Sequence, residues 1–228
     1  MEIAKSECAK CGIKIKDRIC RSPEGQGPAF CPTLHQKKII EKANEESLKS
    51  DILKFAHEAS VQEAECYINR DVKPYVLHPT KPRVQEVCEF AQKMGYRKLG
   101  IAFCSGLRNE ALSLTQILEA QEFEVVSVIC KAGRTPKEHI GIKDEEKIHF
   151  GEFEPMCSPI AQAMILNEEK TDFNILLGLC VGHDSLFLKY SKAFCTVLVA
   201  KDRVLSHNPC AALYTTGSYY ARMLRKGF

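Results

Sequence analysis

From Arg83 onward, apolar residues recur along the chain in two alternating rhythms. Some stretches carry them every three or four positions, as amphipathic helices do, and short continuous apolar runs separate those stretches. RVQEVCEFAQKM (83–94) reads as a helix stopped at Gly95. KLGIAFC (98–104) reads as a buried strand, NEALSLTQILEAQ (109–121) as a helix and EVVSVIC (124–130) as a second strand. After a charged connection over 131–156, the same order returns: helix 158–169, strand 173–180, helix 183–192 and strand 195–200. A last helix is predicted over about 209–225. Apolar strands separated by helices predict an α/β fold, a parallel, doubly wound, Rossmann-like sheet of about four or five strands covered on both faces.

The first third of the chain is patterned differently. Residues 1–34 are polar, contain PEGQGP (23–28) and show no apolar period, so they cannot bury a core of their own. Residues 35–82 turn helical, with Ile39, Ile40, Ala43, Leu48, Ile52, Phe55, Ala56 and Ala59 at helical spacing, then reach a proline-rich link at VKPYVLHPTKP (72–82). The expected division is a cysteine-rich module (1–34), a helical segment with its linker (35–82) and an α/β domain (83–228).

Composition narrows the function classes. Hydrophobic residues at 45% and charged residues at 27% are ordinary for a folded globular protein. A net charge of +3, no basic run and no Trp argue against a nucleic-acid partner. No apolar leader and no long apolar stretch is present, which predicts a cytoplasmic protein without a membrane partner. In a reducing cytosol, twelve cysteines point to metal rather than to disulfides.

The cysteines fall into sets. Cys104, Cys130 and Cys180 each end a predicted strand, and Cys157 stands just before a predicted helix. In a parallel sheet these positions share the C-terminal edge, where ligands bind at the topological switch point. One strand-end cysteine is commonly mere packing, but four on one edge suit a thiolate-ligated centre, with helix N-termini stabilising the negative sulfurs. The expected occupant is an iron–sulfur cluster, most naturally [4Fe–4S]. The second set is Cys8, Cys11, Cys20 and Cys31. Its Cys-x2-Cys-Gly start suits a zinc or rubredoxin-like knuckle, while Cys31-Pro32 suits a ferredoxin-type run, so zinc and a second iron–sulfur cluster both stay open. His35 is a further candidate ligand there. Cys66, Cys88, Cys195 and Cys210 are read as packing residues.

Two polar clusters follow strands on the same edge. His183 and Asp184 come just after Cys180, as proton donor, open-iron ligand or helix cap. KDRVLSHNP (201–209) offers Lys201, Asp202, Arg203 and His207 to a small anionic substrate, or forms a solvated turn. His183, Asp184 and Lys201 are the candidate catalytic residues. Dinucleotide, P-loop, zincin and serine-hydrolase motifs are all missing.

AFCSGLRNEA (102–111), SVICKAG (127–133), EPMCSPIAQA (154–163), NILLGLCVGHDSLF (174–187) and KDRVLSHNP (201–209) together resemble a functionally uncharacterised family of cysteine-rich, predicted metal-binding proteins of anaerobic bacteria and archaea. The resemblance runs nearly end to end and departs from the pattern at Ser158, where an Asn is expected. It implies metal binding by Cys104, Cys130, Cys157 and Cys180 in an anaerobic cytoplasm, and no established activity. The expected function is redox or electron transfer, with ferredoxin or another redox protein as partner. The alternatives are a non-catalytic metal or sulfur carrier and a structural zinc protein. Whether the protein is an enzyme, and its oligomeric state, are left open.

Overall fold

The computed structural model describes residues 5–227, which lie in two compact units, Met1–Glu63 and Ala64–Phe228. The expected boundary after residue 34 falls inside the first unit. That unit begins with two short 3-10 turns, Cys8–Lys10 and Ile15–Asp17. The amide of Cys11 closes the first by donating to the Cys8 carbonyl at 3.1 Å. Arg18 then ties the segment down, donating from Nε to the Ile13 carbonyl and from a terminal nitrogen to the Cys11 carbonyl. Three helices follow: α1 (Pro32–His35), α2 (Lys37–Ser47) and α3 (Ser50–Glu65), whose last residues pass into the second unit.

The second unit carries α4 (Arg83–Met94), β1 (Lys98–Phe103), α5 (Arg108–Ala120), β2 (Glu124–Ile129), α6 (Pro159–Glu168), β3 (Phe173–Leu177), α7 (His183–Tyr190), β4 (Phe194–Val199) and α8 (Cys210–Tyr214). The strands form one parallel sheet in the order β2-β1-β3-β4. The fold is therefore α/β and Rossmann-like, as the alternating pattern predicts. The connection through α5 leads outward from β1 to β2 and that through α6 leads back past β1 to β3; since parallel crossovers are right-handed, these opposite directions put the two helices on opposite faces. The switch point lies between β1 and β3.

Side-chain parity along β1 shows what each face buries. Ala102 and Cys104 face α6 and α7, in a cluster with Val128, Cys130, Ala163, Leu166, Leu176, Leu179 and Phe187. Gly100 lies on the same face, and a methyl group there would stand 2.1 Å from Asn174 Oδ1. Asn174 itself is fully buried, accepting from Thr171 Oγ1 and donating to Ser191 Oγ, which pins the sheet at the end opposite the cysteines. On the other face, the Phe90 ring of α4 packs 5.6 Å from that of Phe173.

One predicted helix is much shorter than expected. The segment 209–225 holds only α8 and a 3-10 turn at Ala221–Leu224. Thr215 Oγ1 bonds back to the Ala211 carbonyl where α8 ends, and Thr216 and Gly217 follow. Threonines and glycine are poor helix formers, and no buried face is present there to override them.

The connection over 131–156 is long but ordered. Its two ends are clasped by the Met156 amide donating to the Thr135 carbonyl (2.8 Å) and the Lys137 amide donating to the Glu154 carbonyl (3.1 Å). The buried Glu154 carboxylate pairs with Lys137 at 2.5 Å and accepts the amides of Ile148 and His149. Those contacts, the Lys137 bond foremost, hold its pKa down at about 2 against burial. Lys147 pairs with both Glu138 and Asp144 and closes the outer part of the excursion.

Candidate functional site

Backbone ladders position the first two thiols. β1 pairing continues one residue past the strand, because the Cys104 amide donates to the Leu177 carbonyl at 3.2 Å. β2 pairing likewise continues to Cys130, whose amide donates to the Phe103 carbonyl at 2.9 Å. Equal strand lengths in register put Cys104 and Cys130 side by side on the α6 face. The excursion then returns the chain, and the Ser158 amide donates to the Cys130 carbonyl at 2.7 Å. Cys157 is thereby delivered beside Cys130 just before α6. Cys180 follows β3, where the turn is set by Gly178 in the left-handed region at φ +68°.

The thiols form a chain of contacts. Cys104 donates to Cys130, and this bond, with burial, pushes the Cys104 pKa up to about 12. Cys130 donates to Cys157, and that bond, helped by the charge of Lys131, lowers the Cys157 pKa to about 6 although burial opposes it. The Ser105 amide donates to Cys130 Sγ at 3.3 Å. Cys180 lies close enough for its charge to act on Cys157, and Arg203 donates to Cys180 Sγ at 3.0 Å. Of the four sheet-edge cysteines expected to converge, Cys104, Cys130 and Cys157 stand side by side, and Cys180 is near enough for its charge to be felt at Cys157. Among the described residues, no group of three or more His, Cys, Asp or Glu side chains closes around one ion position.

The surroundings are cationic. Lys131 donates to the Pro155 carbonyl at 2.5 Å as well as acting on Cys157. The ammonium of Lys201 acts on Cys104. His183, half-buried, feels the charges of Lys131, Asp184 and Cys104, and burial foremost lowers its pKa. The cap reading of Asp184 is not met. Gly182 holds the N-cap position of α7, and Asp184 Oδ1 accepts the amide of its neighbour Ser185. In the loop after β4, Asp202 and His207 serve the turn: the Asp202 carboxylate accepts the amides of Val204 and Leu205, and the Asp202 amide donates to His207 Nδ1. Only Lys201 and Arg203 of that cluster reach the thiols.

A further residue belongs to this arrangement. Gln162 on α6 is fully buried and donates from Nε2 to the Phe103 carbonyl (3.2 Å) and the Val128 carbonyl (2.7 Å). Those carbonyls immediately precede the two ladder-end cysteines, so Gln162 fixes the spacing of β1 and β2 where Cys104 and Cys130 leave them. Its only mark in the sequence is one amide among the apolar residues of PIAQAMIL (159–166).

The other cysteines divide as expected in part. Cys66 and Cys88 are buried, Cys195 is the second residue of β4, near the opposite edge, and Cys210 is exposed. In the N-terminal set, Cys8 and Cys20 are exposed, Cys11 is half-buried and Cys31 is buried as the residue before α1. His35 is engaged elsewhere, its Nε2 meeting the Ala29 carbonyl.

Fold and site together define a cysteine-rich α/β protein with four thiols gathered at the switch point of a parallel sheet. Residues 31–198 match the family described as a protein of unknown function (DUF1847), and the chain belongs to that family. The matched region contains all four switch-point cysteines and Cys31, while Cys8, Cys11, Cys20, Lys201 and Arg203 lie outside it. The chain is also 47% identical over 192 residues to the uncharacterized protein MJ0455 of Methanocaldococcus jannaschii, covering 84% of this chain and 91% of the relative. No solved structure matches. Among the described residues, no helix is long and apolar enough to cross a membrane.

Proposed function

We propose that Cys104, Cys130, Cys157 and Cys180 ligate an iron–sulfur cluster and that this cytoplasmic protein works in redox chemistry or electron transfer. The observation that carries the reading is the convergence of four thiols from four separate segments, beneath Lys131, Lys201 and Arg203. Packing alone gives no reason to surround sulfur with cations. Thiolates do, because a thiolate-held cluster is anionic and its sulfurs accept hydrogen bonds. The donor set fits such a cluster in kind: each thiolate is asked for one iron, not all four for one point, and [4Fe–4S] is the form matching four sulfurs. Such a cluster supplies one-electron transfer.

The chain's own residues would tune it. Arg203 and the Ser105 amide already donate to sulfur, which favours the more reduced, more negative state. Electrons would come from a ferredoxin or another redox protein. Cys8, Cys11, Cys20 and Cys31 would hold a second centre, zinc or iron–sulfur; the closed turn linking Cys8 and Cys11 supports a metal knuckle there.

Metal and sulfide analysis of anaerobically purified protein, with visible absorbance, tests the reading. A broad band near roughly 400 nm with stoichiometric sulfide is expected, since zinc alone is colourless. Exchanging Cys104 and Cys180 for Ser should remove that band and leave any N-terminal metal. Unchanged metal and sulfide in the double variant would sink the assignment. Stoichiometric loss of metal to an acceptor, without electron transfer, would instead identify a carrier.

A further inference from the structure

Three cations stand over the thiols, but they are not equally engaged. Arg203 is bonded to Cys180 Sγ, and Lys131 to the Pro155 carbonyl. Lys201 makes no hydrogen bond and no ion pair among the described residues, although it is only half-exposed. Its stem lies across the turn after β3, with Cδ 3.8 Å from where a Gly178 side chain would begin. Its Nζ comes 3.4 Å from the corresponding point at Gly106. The ammonium is thus held over the exposed Ser105–Gly106 turn. Asp184 is the acidic side chain acting on His183, and its oxygen is already taken by Ser185.

Charge decides what is missing. A [4Fe–4S] core of formal charge about +2 held by four thiolates carries about −2. Three cations then leave about one positive charge unmatched, and Lys201 is the cation that makes no hydrogen bond of its own. We propose that Lys201, held over the Ser105–Gly106 turn, forms an anion-binding subsite at the mouth of the thiol site, suited to a small carboxylate or oxyanion. The charge count rests on the iron–sulfur reading, but the ammonium's lack of a hydrogen bond does not.

Iodoacetate and iodoacetamide are close in size and differ in charge, and both alkylate the thiolate. Their rate ratio therefore cancels the thiolate fraction and reads the local potential. Rates at Cys157 and Cys180 would be measured by peptide mapping on the full-length chain stripped of metal, with the exposed Cys210 as internal reference. The iodoacetate-to-iodoacetamide ratio is expected to exceed that at Cys210 by roughly three- to tenfold at low salt, and to fall toward it near 1 M salt. Lys201→Gln should lower the ratio roughly two- to threefold, the remainder being held by Lys131 and Arg203, and Lys201→Arg should keep it, while Lys189→Gln on α7 should change nothing. A ratio at the site equal to that at Cys210, or one unchanged by Lys201→Gln in a folded variant, overturns the subsite. If metal and sulfide analysis finds no cluster yet Lys201→Gln lowers the ratio, the cluster reading fails and the subsite stands. The reverse pair of results separates the two the other way.

Discussion

Cys104 and Cys157 are both thiols in contact with Cys130, yet their protons are held very differently. One donates within a buried strand end, and the other accepts beside Lys131. Partner and polarity, not residue type, set the difference. Glu154 shows the same logic in a structural role. Its pKa is depressed to about 2, below the usual carboxyl value near 4.3. The stability it contributes is therefore present above the unfolded value and lost as pH falls through the folded one. Glu154→Gln should lower the urea midpoint at pH 7, and the gap between variant and wild type should close between about pH 4.3 and 2. A gap independent of pH would show that the charge is not what matters. Gln162 acts without charge. Gln162→Leu removes two donated bonds and should cost about 1–2 kcal/mol in urea unfolding. If the proposed cluster is bound, the substitution should also speed its loss to a chelator, because the ends of β1 and β2 are no longer tied. Unchanged metal retention at reduced stability would confine Gln162 to a packing role.

At the scale of elements, helix and strand patterns were largely legible. The expected helix at 83–94 is α4 (Arg83–Met94), and the expected strand at 98–104 differs from β1 (Lys98–Phe103) by one residue. Those segments have one strong period and a buried face, so local and tertiary preferences agree. The strand at 173–180 was overextended because Leu179 is apolar and buried, although the left-handed Gly178 has already turned the chain. The excursion over 131–156 was opaque for a different reason. Its order comes from Glu154 with Lys137 and from Lys147 with Glu138 and Asp144, pairs whose partners no hydrophobic period reveals.

At the scale of the molecule, the two units carry separate cysteine sets. The second unit has its own apolar core on a complete sheet, which is what independent folding requires. A chain of residues 64–228 is expected to unfold cooperatively and to retain the metal and sulfide assigned to the switch-point cysteines. Loss of cooperative unfolding would show that residues 1–63 are needed to complete the fold. If the N-terminal set holds a metal as proposed, that segment, which lacks a comparable core, should lose its local order when the metal is removed.

The sequence by itself determined the strand-helix alternation, the shared edge of the strand-end cysteines and the separation of two thiol sets, because side-chain period and chain direction are local properties. Only the tertiary structure decided which cations meet which sulfur. Lys201 and Arg203 stand more than twenty residues beyond Cys180, and Gln162 reaches across to carbonyls of two different strands. Those pairings depend on strand order β2-β1-β3-β4 and on where loops return to the sheet, and neither is written in any local pattern.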